Sequence, residues 1–310
     1  MMLSYHKPVL LQACMDGLAI RPEGIYADVT FGGGGHSRAI LEQLGPEGKL
    51  FGFDQDSDAV SNVPDDKRFT LVRQNFRYLK NYLRMYNAVP VDGILADLGV
   101  SSHQFDTAER GFSTRFDGPL DMRMDQNAAL TAADVLNTYD EKALKNMFGF
   151  YGEVENAGTL ARIICEKRTE KPIETIADLK VAMAPCIRRG RENQYLAQVF
   201  QALRIEVNGE LDALKEMLQQ AAEILKPGGR LVVISYHSLE DRLVKQFIQK
   251  GKFDGEAEKD FFGNLLRPLE PVTRKPILPD EAEININNRA RSAKLRIAQK
   301  PESGYDEKHD

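Results

Sequence analysis

The chain has 310 residues, 42% of them hydrophobic and 28% charged, enough for one large α/β unit or a two-part protein whose core needs no disulfide or metal. Its three cysteines, Cys14, Cys165 and Cys186, are far apart and form no Cys-x-x-Cys or Cys/His cluster, so no metal centre is expected and the compartment reads as a reducing cytoplasm. No basic-then-apolar leader and no apolar run of about 18 residues is present, so neither a signal peptide nor a membrane span is expected. The formal net charge of −5 counts against indiscriminate binding of naked RNA, although local clusters matter more than the total.

From residue 25 short β runs alternate with helical stretches. Residues 25–30 predict a strand, 32–35 a glycine-rich turn and 37–44 a helix stopped by Gly45-Pro46. Strands follow at 49–54, 69–73 and 91–97, with helical segments at 58–63 and 78–86 between them. Strands separated by helices imply βαβ units and a parallel sheet. The pattern breaks over residues 106–208, where helices are expected at 131–137, 140–148, 157–168, 176–184 and 194–208. Thr175-x-x-Asp178 there resembles a capping box with Asp in place of Glu. A helix at 210–225, a turn at Lys226-Pro-Gly-Gly229, a strand at 230–235 and a helix at 239–249 resume the α/β order. Residues 251–288 are irregular, with edge strands expected near 265–272. A final strand is expected at 292–297, before a polar, frayed tail. The expected division is a sheet domain built from residues 1–105 and 209–310 around a helical insertion at 106–208.

Several motifs carry chemistry. In Asp28-Val-Thr-Phe-Gly-Gly-Gly-Gly-His36, glycines after a first strand let backbone approach a ligand, and the next helix offers its N-terminus. Asp54, about 20 residues on, ends the second strand, where doubly wound folds place an acid on ribose hydroxyls. A plain tight turn is the bland alternative. The dinucleotide fingerprint G-x-G-x-x-G is met at Gly32 and Gly34, but its third position is Ser37, which weakens a nicotinamide reading. Asp97-Leu-Gly-Val-Ser-Ser102 ends the fourth strand, on the edge where ligands sit. An acceptor there could turn an aromatic amine toward a nucleophilic geometry, or simply cap a helix. Arg110-Gly-Phe-Ser113 with Gly118-Pro-Leu-Asp-Met-Arg-Met-Asp125 reads as an ordered loop, functional or structural. Phe200 to Gly209 reads as a core helix with polar Gln201, Arg204 and Asn208. His237, in Ser235-Tyr-His-Ser-Leu-Glu-Asp-Arg242, is a base-contacting group or a structural histidine. Basic clusters at 161–191 and 284–300, the latter with Arg289 and Arg291, are candidates for RNA phosphates or solvated faces.

Taken together, six blocks in order resemble the bacterial family of small-subunit ribosomal RNA cytosine-N4 methyltransferases, the H-type enzymes acting on 16S rRNA. They are His6-Lys-Pro-Val-Leu-Leu11, Thr30-Phe-Gly-Gly-Gly-Gly-His-Ser37, Asp92 to Ser102, Gly118 to Asp125, Ser235 to Arg242 and Asn288 to Arg296. The resemblance spans nearly the whole chain. It implies a Rossmann-like class I AdoMet-dependent (S-adenosylmethionine-dependent) methyltransferase sheet with an inserted all-helical domain for RNA recognition. It implies methyl transfer to N4 of a cytidine at the decoding site of the small ribosomal subunit. The cofactor contacts it implies are Gly34, Gly35, His36, Asp54, Phe76, Asp97 and Gln104, with Gly33 completing the turn. This sequence departs from the family at Tyr195-Leu-Ala-Gln198, where Pro-Ala-Thr-Arg is usual, at Asn287-Asn288, where Asn-Pro is usual, and at Tyr236, where Phe is usual. These changes bear on substrate contacts and leave the cofactor site untouched.

The resulting expectation is an AdoMet-dependent rRNA methyltransferase. Asp97 is the candidate for orienting the amine, and Asp121, Arg123, Asn208, His237, Arg289 and Arg291 are candidates for the RNA. A non-catalytic RNA-binding or assembly factor and a nicotinamide-dependent dehydrogenase are the competing classes. The oligomeric state is left open, a homodimer included.

Overall fold

The computed structural model describes residues 8–302. His6 and Lys7 of the first family block, and the polar tail from 303 on, lie outside them. The chain begins α1 (Leu11–Leu18), β1 (Ile25–Asp28), α2 (Gly35–Gln43), β2 (Lys49–Phe53), β3 (Phe69–Val72), α3 (Leu79–Met85) and β4 (Val91–Asp97). Six helices follow: α4 (Ser102–Asp106), α5 (Ala132–Thr138), α6 (Glu141–Gly152), α7 (Ala157–Glu170), α8 (Ile176–Met183) and α9 (Glu192–Asn208). The chain then forms α10 (Glu210–Ile224), β5 (Leu225–Ser235), α11 (Ser238–Lys250), β6 (Glu270–Pro271), α12 (Glu281–Ile286) and β7 (Lys294–Gln299). It divides into two compact units, residues 1–99 with 212–310, and residues 100–211.

The first unit holds a seven-stranded sheet of order β3-β2-β1-β4-β5-β7-β6. β1 to β5 are parallel to their neighbours, while β7 runs antiparallel to β5 and β6 antiparallel to β7. Alternate residues of each strand feed two cores, because successive side chains leave opposite faces. Ala27, Ile94, Ala96, Leu231 and Val233 join Leu79, Leu83, Met217, Leu218 and Phe247 from α3, α10 and α11 on one face. Tyr26, Leu95, Val232 and Ile234 join Met15, Leu18, Ile40 and Leu41 from α1 and α2 on the other. Helices on both faces make the sheet doubly wound, and the strand order reverses between β1 and β4. That reversal opens a crevice beyond the carboxyl ends of the strands.

The expected strands are present, with informative differences. The Lys226-Pro-Gly-Gly229 turn is absorbed into β5 as an irregularity: Val91 pairs with Leu225, and the next paired residue, Gly93, lies opposite Arg230. Pro lacks an N–H and Gly228 sits at φ 77, so the segment leaves the ladder without ending the strand. The expected edge strands near 265–272 reduce to the two residues of β6. The helical segment expected at 58–63 is a 3₁₀ helix, Ser57–Asn62. α1 and α12 add helices where none was expected.

The second unit is all helix and loop around its own core, which includes Leu136, Leu144, Phe148, Leu160, Ile164, Leu179, Val199 and Leu203. Thr131 with Asp134 and Thr175 with Asp178 close capping boxes on α5 and α8. Each box satisfies two N–H groups that a helix start leaves without intrahelical partners.

Candidate active site

Three carboxylates leave the carboxyl edges of three adjacent strands: Asp54 just after β2, Asp28 at the end of β1 and Asp97 at the end of β4. They flank the switch point. A buried carboxylate is costly unless donors meet it, and here each is met differently.

Asp28 is 1% exposed. It accepts from Ser37 Oγ at 2.7 Å and from Thr30 N–H at 3.1 Å, while burial pushes its carboxyl above the usual range. This accounts for Ser37 in the third glycine position of the dinucleotide fingerprint: its hydroxyl ties the start of α2 to the end of β1.

Asp54 closes the glycine turn. Its Oδ2 accepts from Gly32 N–H and its Oδ1 from Asp56 N–H, both at 2.8 Å. Burial outweighs these donors and lifts the carboxyl to about 6. Within the turn, Gly34 has φ 72 and a Cβ there would lie 2.9 Å from the Phe31 ring, so only glycine serves. A Cβ on Gly33 would meet nothing within 4 Å, leaving an open backbone face. Asn75 Nδ2 donates to Gln55 Oε1 at 2.9 Å, which holds the 3₁₀ turn Phe76–Tyr78 beside the end of β2 and leaves Phe76 half-buried.

Asp97 is held by three groups. Its N–H donates to Thr30 Oγ1 at 2.6 Å, and its Oδ1 accepts from Tyr236 Oη at 2.7 Å. His36 Nδ1 lies 3.6 Å from Oδ2. Burial raises the Asp97 carboxyl, opposed by His36 and the Tyr236 hydrogen bond. The His36 ring is itself buried, with Nε2 3.0 Å from the Val9 carbonyl oxygen. Its side chain therefore braces the site from behind. What α2 offers outward is its amino end, where the N–H groups of Gly35, His36 and Ser37 have no intrahelical acceptor.

His237 caps α11. Its Nδ1 is 3.4 Å from Glu240 N, and Glu240 Oε2 accepts from Tyr236 N–H at 2.9 Å. The imidazole thus has a capping task, the structural one of its two sequence readings. In the 284–300 cluster, Arg296 pairs with Asp241 of α11 through two contacts, at 2.7 and 3.2 Å, and Lys294 lies 3.5 Å from the same carboxylate. The cluster is accordingly less basic in space than along the chain. Arg289 is half-buried, and Arg291 is exposed and donates to Asn288 Oδ1 at 3.1 Å.

The remaining candidates belong to the helical unit. Gln104 is buried, and its Oε1 accepts from Ser101 N–H at 3.0 Å to close the capping box of α4. Asp121 and Arg123 form a two-point ion pair at 2.9 and 2.6 Å, and Arg123 also donates to the Ala128 carbonyl. Asn208, at the end of α9, accepts from Met124 N–H and donates to the Met122 carbonyl, both at 2.8 Å. These residues shape the 118–125 loop, and Asn208 fixes it to α9.

Thr30, Ser37 and Asp28 are site members that motif reading did not single out, and Tyr236, expected to leave the cofactor site untouched, donates to Asp97 within it. Asp28 had an available signal, since it heads the glycine motif.

A family model for the MraW methylase family matches residues 3–301. Proteins called "Ribosomal RNA small subunit methyltransferase H" are similar over almost their whole length. The one from Flavobacterium johnsoniae is 59% identical over 298 residues, covering 96% of this chain and 98% of the relative. That from Bacteroides thetaiotaomicron is also 59% identical over 298 residues, with the same coverage. That from Cytophaga hutchinsonii is 58% identical, covering 96% and 99%. A methylase family removes the nicotinamide dehydrogenase reading, and the sheet is of the doubly wound kind that the resemblance implied. The chain belongs to the MraW methylase family.

Proposed function

We propose that the protein transfers the methyl group of AdoMet to N4 of a cytidine in 16S rRNA of the small ribosomal subunit, at the decoding site. The observation that carries the reading is the placement of Asp54, the open glycine turn and Asp97 at one topological switch point. It is joined by 58–59% identity, over nearly full length, to proteins that bear the rRNA methyltransferase name.

The residues present fit the cofactor. Ribose hydroxyls are donors and Asp54 presents a carboxylate; the open backbone at Gly33 and the amino end of α2 admit close approach; the ammonium and sulfonium of AdoMet are cations suited to Asp97. When bound, AdoMet supplies an electrophilic methyl on sulfur. The chain's own task is to hold the acceptor amine in line with it. Cytosine N4 has its lone pair drawn into the ring, and a carboxylate accepting from its N–H draws it toward a pyramidal nucleophile. Asp97 is assigned that orienting role. Once methylated, N4 would be a strong acid whose proton would pass to water. The helical unit serves recognition of the RNA, with exposed Arg291 an additional phosphate contact.

The test is a transfer assay with labelled AdoMet and small subunits lacking native methylation, followed by nucleoside mass spectrometry. The expected product is N4-methylcytidine. Cofactor binding without transfer to any small-subunit RNA would instead support a non-catalytic RNA-binding factor.

A further inference from the structure

The Tyr236 side chain has one polar contact among the described residues: Oη donates to Asp97 Oδ1 at 2.7 Å. The geometry behind this bond is built from the backbone. β5 ends at Ser235, and the Tyr236 N–H is anchored on Glu240 Oε2 in the first turn of α11. The ring lies against Gly99, where a Cβ would come 3.4 Å from Tyr236 Cδ2. Helix cap and glycine together aim the hydroxyl from the end of β5 at the end of β4, beside the switch point.

We propose that Tyr236 is a positioning residue, whose hydroxyl fixes the rotation of the Asp97 carboxylate and stabilises its anionic form for the cationic part of the cofactor. This rests on the cofactor reading above. Every group facing Asp97 bears on that balance. His36 on α2 favours the anion when protonated. Asp28 on β1 and Glu240 on α11 oppose it by like charge. Cys14 on α1 has its thiol held well above its usual range by burial and then by Asp97. Tyr236, likewise pushed well up by burial and by Asp97, remains a donor at physiological pH. Tyr236 is thus the neutral donor on a carboxylate that burial and two like charges press toward protonation. Removing the hydroxyl raises the pH at which Asp97 takes its proton, so the loss should appear on the acid side.

The test is calorimetric titration of wild type and Tyr236→Phe with S-adenosylhomocysteine between pH 5 and 8. Phe keeps the ring against Gly99 and removes only the donor. The expected result is a ratio of variant to wild-type Kd that grows to about tenfold as pH falls, the shared contribution of Asp54 cancelling in that ratio. The ratio should shrink toward one as pH rises, because the anion gains in both proteins. Superimposable profiles, or one uniform loss at every pH, would overturn the proposal while leaving the cofactor reading standing. Failure of the wild type to bind at all would sink the cofactor reading itself. If Tyr236→Phe does not fold, ultraviolet titration of ligand-free Asp97→Asn replaces it. One tyrosine should ionise at lower pH than in wild type, and an unchanged tyrosine titration would refute the coupling.

Discussion

Asp54 makes a sharp prediction, because its carboxyl titrates where binding can be measured. At a value of about 6, the free protein has Asp54 roughly nine-tenths ionised at pH 7 and roughly one-tenth ionised at pH 5. An aspartate at its ordinary value near 3.9 would still be roughly nine-tenths ionised at pH 5. If the anion accepts from the ribose hydroxyls, Asp54 alone should weaken S-adenosylhomocysteine binding about tenfold over that interval. Asp54→Asn removes the anion and leaves Gly32 N–H and Asp56 N–H competing for a single acceptor oxygen. Its binding at pH 7 should be weaker by about 1.5–3 kcal/mol, the usual scale for a hydrogen bond to a charged group. The diagnostic quantity is the ratio of variant to wild-type Kd by calorimetry, which cancels the contribution of Asp97. That ratio should shrink about tenfold from pH 7 to pH 5, and a constant ratio would refute the reasoning. Stability should move in the opposite sense. The folded carboxyl binds its proton more tightly than the unfolded one, so wild-type stability rises as pH falls through 6 toward 3.9. The limit is about 3 kcal/mol, two units at 1.36 each, reduced by the solvent that reaches this half-buried group. Asp54→Asn should lack that slope in urea unfolding.

Three further outcomes follow from the packing. Arg296→Ala strands the Asp241 carboxylate between α11 and β7, both partners being under 15% exposed. It should cost about 3 kcal/mol by urea unfolding, less whatever Lys294 recovers, and a double-mutant cycle with Asp241→Asn should show coupling. His237→Ala should cost about 1 kcal/mol through loss of the α11 cap, and His237→Asp should restore most of it; equal losses in both would deny the capping role. Asn208→Ala should raise the hydrogen-exchange rate of the Met124 amide well above that of the α9 interior, since its acceptor disappears.

Legibility of the fold tracked how local each signal is. β1 to β4 carry apolar runs ending in turn residues, and α9 and α10 carry helical periodicity long enough to read. α1 was not read as a helix because it is eight residues long and enters from Leu10 at φ 52 with no capping side chain. α12 escaped for the complementary reason that it buries no residue. The Lys226-Pro-Gly-Gly229 segment has every mark of a turn, yet its neighbours on both sides pair with β4, which only the sheet could decide. At the site, the glycine turn and Asp54 were readable because they lie within about 20 residues of one another, the spacing a strand-helix-strand unit sets. The bond from Tyr236 to Asp97 spans 139 positions, and the Arg296–Asp241 pair spans 55. Neither has any local signature. Asn208, Asp121 and Arg123 read as candidates for the RNA, but their hydrogen bonds are largely used in holding a loop. Residue type alone cannot separate a side chain that meets a ligand from one that meets backbone.

The helical unit interrupts the sheet between β4 and β5, strands that lie side by side with Asp97 opposite Ile234. Their pairing closes a chain loop of roughly 130 residues, against about 30 for an ordinary βαβ crossover. Loop-closure entropy grows only logarithmically, so the longer path costs about 1.3 kcal/mol more. That is less than the loss of one well-packed leucine side chain. The heavier consequence is kinetic. The centre of the sheet cannot be completed until β5 has left the ribosome, so β1 to β4 must wait with an open edge while the helical unit, with its own core, is free to form first. Ribosomes paused within residues 100–211 should therefore carry nascent chains whose β4 edge is the segment most in need of chaperone cover.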